Sequence, residues 1–181
     1  MKNAFAIGTW VLVLAASTLG YAAVDFPGLD KSPADISIFP SKGEKRVAKV
    51  IYSRPQINGR HIFGDLVKYG EVWRTGANEA TEITFYQDVT IQNTKIPAGT
   101  YTLFTIPNKS QWTVILSRAT HQWGAYDYKK DQDLVRLTVT PEHVDKTVEA
   151  LSIVFDESEN QEVVNLVLAW ENTQINVPIS Y

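Results

Sequence analysis

Cysteine is absent from the 181 residues. Disulfides, zinc ribbons, iron–sulfur clusters, thiol nucleophiles and lipid attachment through cysteine are excluded together. Histidine is scarce. His61, His121 and His143 stand far apart, no HExxH occurs, and no Asp-rich calcium loop is present. A metal held by protein ligands alone has no set to draw on. GxGxxG, the P-loop and GxSxG are missing too, so neither a nucleotide cofactor nor an α/β-hydrolase elbow is expected. The expectation is no cofactor. A net charge of −3 provides no basic field for nucleic acid. Lysine and arginine vanish altogether after Lys146.

What is present fits a globular chain. The hydrophobic fraction is 44% and the charged fraction 20%, far from collagen-like or disordered compositions. The length suits one domain. Lys2 precedes an uncharged, mostly apolar stretch from Ala4 to Leu19, and Gly20-Tyr21-Ala22 places small residues where a signal peptidase reads. Residues 1–22 are expected to be a signal peptide. The run is shorter than the roughly 20 residues a spanning helix needs. The protein is therefore expected to be exported, periplasmic or extracellular. Residues 23–43, with Pro27, Pro33 and Pro40, read as an irregular lead-in with a short edge strand at Asp35 to Phe39. Residues 44–181 read as the folded domain.

Beyond the lead-in the dominant period is two. Val47 to Arg54 sets Ala48, Val50 and Tyr52 on one face. Thr81 to Tyr86, Val89 to Gln92, Thr100 to Ile106, Trp112 to Arg118, Leu134 to Thr140, Ala150 to Phe155, Val163 to Trp170 and Thr173 to Ile179 continue the series. They are rich in Val, Ile, Thr and aromatics, with turn residues between them. Asn93-Thr94 reads as a turn, and Glu171-Asn172 as the turn of a terminal hairpin. His61 to Val67 and Pro141 to Val148 are the two places where a helical turn is expected. The pattern predicts an all-β fold: a single antiparallel β-sandwich of about 8–10 strands with one long ordered loop segment. A closed lipocalin-like barrel is the alternative.

Charge is unevenly spread. Residues 41–74 carry eight lysines and arginines against three acids, whereas residues 141–181 carry Lys146 alone against eight acids. Two solvated surfaces of different sign are one explanation. An anion-facing side built on Arg54, Arg60 and Arg74 is the other, because arginine presents a rigid fork of donors to carboxylate or phosphate.

Two segments are chemically dense. The first runs from Tyr52 to Glu79 with no clear period. Its aromatic and aliphatic content predicts an ordered cover over the sandwich rather than a disordered loop. Within it, Trp73-Arg74-Thr75-Gly76-Ala77-Asn78-Glu79 joins a stacking ring, a cation, an amide and a carboxylate. Arg74 and Asn78 suit an oxyanion or a sugar hydroxyl, and Glu79 suits acceptor or general-base work. Structurally, the same residues suit an Arg74–Glu79 ion pair and a turn at Asn78. The second segment is His121 to Tyr128, HQWGAYDY. Trp123 and Tyr126 offer apolar faces with polar rims, suited to sugar rings or to an aromatic corner, and Asp127 is its one acid.

The stretches Tyr52 to Pro55, Gly59 to Gly64, Tyr69 to Thr81, Ile96 to Tyr101, Leu103 to Pro107, Gln122 to Tyr128 and Leu168 to Glu171 closely resemble the family of exported bacterial proteins called domain of unknown function 2911. Tyr69-Gly70-Glu71-Val72-Trp73-Arg74-Thr75-Gly76-Ala77-Asn78-Glu79-Ala80-Thr81 is the most specific of them. The resemblance covers about Ser32 to Ile179. It implies export and assigns no activity and no catalytic residue.

The leading expectation is a non-catalytic binding domain of the periplasm or envelope, taking a small anion or a glycan. Its candidate ligand-binding residues are Arg54, Arg60, Trp73, Arg74, Asn78, Glu79, Trp123, Tyr126 and Asp127. The rival is an envelope glycan hydrolase using Glu79 and Asp127, which needs both carboxylates across one cleft. The third is a structural or assembly protein, which needs an exposed apolar patch or an open edge.

Overall fold

The computed structural model describes residues 23–43, 45–157 and 162–181. The expected signal peptide lies outside the described residues. The described residues form ten strands: β1 (Ala34–Phe39), β2 (Ala48–Ser53), β3 (Glu82–Phe85), β4 (Val89–Ile91), β5 (Thr94–Ile96), β6 (Gly99–Ile106), β7 (Trp112–Ser117), β8 (Asp133–Val139), β9 (Glu142–Glu157) and β10 (Val163–Ser180). One sheet has the order β1-β2-β3-β6-β7-β8 and the other β5-β4-β10-β9. All strand pairings are antiparallel. The expected all-β sandwich is observed.

Alternation explains the packing. Ala48, Val50 and Tyr52 of β2, Ile83 and Phe85 of β3 and Leu103 of β6 point inward and are buried. They meet Leu151 and Ile153 of β9 and Leu166, Leu168, Val177 and Ile179 of β10 in one core. Such side chains each contribute roughly 1.5–3 kcal/mol on burial, which the chain needs because it has no cross-links. The outer face of the six-stranded sheet carries a second, smaller cluster of Ala80, Phe104 and Ile115. The 122–128 loop lies on it, with Tyr128 set edge-on to Phe104 at 5.2 Å.

Three local expectations are corrected. Pro141 to Val148 forms no helical turn; Glu142 onward is already strand β9. The segment finds a partner in β10, through His143 with Thr173 and Val148 with Glu171, and pairing overrides the proline signal. Glu171-Asn172 is not a hairpin turn, because β10 runs through it unbroken. Glu171 has φ +55 and the register shifts on either side of it, which makes a bulge. The turn expected at Asn93-Thr94 falls one residue earlier. Gln92 and Asn93 have φ of +46 and +65, the signs a tight hairpin requires, and Thr94 opens β5.

The long segment after β2 is an ordered cover. Ile57, Ile62, Phe63, Val67 and Trp73 are buried in the main core. Ile57 N–H donates to Glu149 O, and Trp73 and Thr105 exchange backbone bonds at 2.8 and 3.0 Å. The segment is pinned to β9 at one end and to β6 at the other.

Candidate functional site

The WRTGANE stretch is held in a strained turn. Thr75 and Asn78 both have φ +56, which is unfavourable for a β-branched residue above all. Thr75 is fully buried, and its hydroxyl bonds Thr105 Oγ1 at 3.0 Å. Thr81 Oγ1 donates to Thr75 O at 2.8 Å. The Trp73 indole N–H donates to Gly76 O at 3.1 Å. A Cβ on Gly76 would meet Thr81 Oγ1 at 3.1 Å and Ser53 O at 3.2 Å, so the backbones there touch. Every turn of the stretch is thus fixed from below.

Arg74 projects from this turn, and no ion pair or side-chain hydrogen bond engages it among the described residues. Its Nε is buried and has no partner. The expected Arg74–Glu79 pair does not form. Arg74 lines a concavity of about 330 Å³ with Arg60, Asn78, Trp73, Trp170 and Ser32. No Asp or Glu lines it. Arg60 is oriented by its own loop, donating to Ile57 O at 2.9 Å and Gln56 O at 2.6 Å. The Trp73 ring is stacked on Trp170 at 5.8 Å, so this wall is rigid. Asn78 Nδ2 reaches the lead-in and donates to Asp30 Oδ1 at 3.1 Å. The Ser32 backbone N–H and Asn78 hold the Asp30 carboxyl below the usual carboxylate range.

Arg54 is not part of this concavity. It pairs with Asp35 at 2.9 Å and donates to Leu151 O and Ser152 Oγ, each at 2.9 Å. It ties β1 and β2 to β9, and its donors are committed to structure.

Ala80 N–H donates to Gln122 O, and Gly124 N–H donates to Asn78 O. Glu79 and Trp123 form the antiparallel bridge between these bonds. The two dense segments therefore meet, and paired residues of such a bridge carry neighbouring side chains. Glu79 lines a second cavity of about 320 Å³ with Glu82, His121, Gln122, Ile51, Ala34 and Tyr52. Glu82 accepts the His121 backbone N–H at 2.7 Å. Glu79 has no hydrogen-bond or ion-pair partner among the described residues. Trp123 is 60% exposed and Tyr126 82% exposed. The Tyr126 ring folds over Gly124, where a Cβ would lie 2.7 Å from it. Asp127 lines a different cavity with Lys129, so Glu79 and Asp127 do not face each other across one cleft.

A family model described as "Protein of unknown function (DUF2911)" matches residues 33–179. The chain belongs to the DUF2911 family. Among curated proteins and solved structures, none matches the chain. The family match begins at Pro33, within the lead-in, beside the Ser32 that reaches the arginine concavity.

Glu82, His121 and Trp170 line these cavities but are not among the candidate ligand-binding residues read from the sequence. Glu82 is the outward residue of β3 opposite buried Ile83, and the alternation alone marks it as facing that side. Nothing local marks Trp170, whose place depends on pairing across the sandwich. Among the described residues no three His, Asp or Glu side chains gather as a metal site would need. No helix among them is long and apolar enough to cross a membrane.

Proposed function

We propose that this protein is a non-catalytic binding protein whose Arg60–Arg74–Asn78 concavity takes the oxyanion of a small ligand, a carboxylate or a phosphate. The observation that carries this reading is the buried, unpartnered Nε of Arg74. A buried charged donor left unpaired costs about 1–3 kcal/mol or more, and a bound oxyanion would recover it. Arg74 and the donors that Arg60 keeps beyond its two loop bonds stand beside one concavity with no lining carboxylate, a set suited to forked recognition. Strain at Thr75 and Asn78 supports the same reading, because such residues cluster where a ligand site over-determines the backbone. In this reading residues 1–22 act as a signal peptide and the protein works outside the cytoplasm.

Thermal unfolding with added acetate or phosphate tests the proposal. A ligand of the native state raises the melting temperature with concentration. The expected result is a rise for at least one of the two anions that Arg74→Gln abolishes. Melting curves of the wild type that stay unmoved by both anions would overturn it.

A further inference from the structure

We infer that the ligand is a carboxylate with an apolar body, its head held at Arg74 and its body lying over Leu66. The inference rests on the oxyanion reading above and names the rest of the molecule.

The head follows from charge. Arg74 is the cation of this concavity that no ion pair or side-chain hydrogen bond engages among the described residues. Arg60 is exposed and has committed two of its donors to Ile57 O and Gln56 O. No lysine lines the concavity. One unengaged guanidinium matches one negative charge. A carboxylate carries a single charge and is planar, and one edge of a guanidinium offers it two parallel donors. A phosphate ester carries nearly two charges at neutral pH. Its surplus charge would lie against a floor of buried Pro55, Val67 and Trp73, which is unfavourable.

The body follows from the walls. Trp73 and Trp170 both line the concavity, and both indole N–H groups are already used. Trp73 donates to Gly76 O at 3.1 Å and Trp170 to Glu149 O at 3.3 Å. The stacked pair therefore has no donor left for a ligand. Among the lining side chains only those of Ser32 and Asn78 can accept a hydrogen bond. A sugar brings several hydroxyl donors, and most of them would stay unpaired here at a cost. An alkyl or aryl group asks for no partner.

Leu66 is placed to cover such a group. Its neighbours Ile62, Phe63 and Val67 are buried in the main core, whereas Leu66 is 47% exposed and lines the concavity with Arg74. Its backbone is held, with Val67 N–H donating to Ile62 O at 2.9 Å and Leu66 N–H to His61 O at 3.4 Å. A chain fixed by its carboxylate at Arg74 and lying across Leu66 takes apolar surface of both out of water. The volume of about 330 Å³ is at the small end for ligand sites, so the body is a few carbons long rather than a lipid tail.

Isothermal titration calorimetry of the purified protein tests this with four probes: acetate, hexanoate, hexanamide and gluconate. Hexanoate is expected to bind about tenfold or more tighter than acetate, since each methylene taken from water contributes roughly fourfold. Gluconate, a carboxylate of the same length with a hydroxylated body, should bind no better than acetate. Hexanamide, which lacks the charge, should bind far more weakly than hexanoate. Arg74→Gln should remove hexanoate binding, and Leu66→Asn should narrow the ratio of hexanoate to acetate affinity several-fold. If hexanoate binds no tighter than acetate, if gluconate equals hexanoate, or if Leu66→Asn leaves the ratio unchanged, the apolar-body inference is overturned and the oxyanion site stands. Stabilisation by phosphate without binding of either acetate or hexanoate overturns it in the same way. If hexanamide binds as well as hexanoate, charge is not read and the oxyanion reading fails too.

Discussion

Gly76 shows how closely the arginine turn is supported. It lies between Thr75, buried at φ +56, and Ala77, and its Cα faces the backbone of Ser53. A methyl group there would press on Ser53 O at 3.2 Å and Thr81 Oγ1 at 3.1 Å. Ser53 belongs to β2 and cannot yield without disturbing its ladder to β1. Gly76→Ala is therefore expected to cost about 1–3 kcal/mol, the usual penalty of overpacking. Urea unfolding of the variant checks it, and a midpoint equal to wild type would show that the turn has slack. The chemistry of this stretch was readable from its residue types, since Trp, Arg, Asn and Glu crowd one heptad. Its geometry was not. Whether Arg74 pairs with Glu79 depends on the sign of φ at Asn78, and the identity of Asn permits either sign.

At the scale of the element, strand alternation was readable nearly throughout, because burial on one face leaves a period of two in the sequence. β5 escapes because Thr94 reads as part of the turn, which leaves only Lys95 and Ile96 before Pro97. β10 was divided in two because Glu171-Asn172 carries turn-like residues, and a bulge draws on the same residues as a turn. The structure shows what they do there. Glu171 takes φ +55 and its carboxylate accepts the Ile62 N–H at 3.4 Å and pairs with His61 at 3.0 Å. Asn172 Nδ2 donates to Val144 O at 2.8 Å, and its Oδ1 meets Thr147 Oγ1 at 3.2 Å. Asn172 replaces the ladder bonds that the shifted register removes. Asn172→Ala should lower stability by about 1–2 kcal/mol, since it leaves a strand carbonyl without its donor. Chemical denaturation reads this directly. An unchanged midpoint would mean that water serves the carbonyl equally well, and the pinning role would fall.

Over the whole molecule, the charge imbalance of the sequence acquires a contact. The basic stretch lies against the acidic terminal hairpin, through Arg54 on β9, Asn58 N–H on Glu149 and His61 on Glu171. The two halves of the chain thus meet along the side that closes the sandwich, and the arginine concavity opens beside that seam. The opposite layer is the 122–128 loop, which carries Trp123 to Glu79. It is anchored by Tyr128, whose hydroxyl donates to Asp133 at 2.7 Å and accepts from Arg136 at 2.7 Å. Burial first, then the Asp133 carboxylate, pushes the Tyr128 phenol up to about 12. Burial likewise raises Tyr52 and Tyr101. In the unfolded chain a tyrosine titrates near 10. Below that pH both states keep the phenol proton, and the full contribution of Tyr128 to stability is present. Between about pH 10 and pH 12 the unfolded chain releases a proton that the folded chain retains, so stability falls as pH rises. Tyr128→Phe removes the ionisation together with the hydrogen bonds. Wild type should be more stable than this variant at about pH 8, and its advantage should narrow by about pH 11.5. Paired urea titrations at the two pH values measure the gap. A gap that stays constant would show that Tyr128 keeps an ordinary phenol, and no gap at about pH 8 would show that the loop holding Trp123 is anchored by the Phe104 contact rather than by the Asp133–Arg136 bonds.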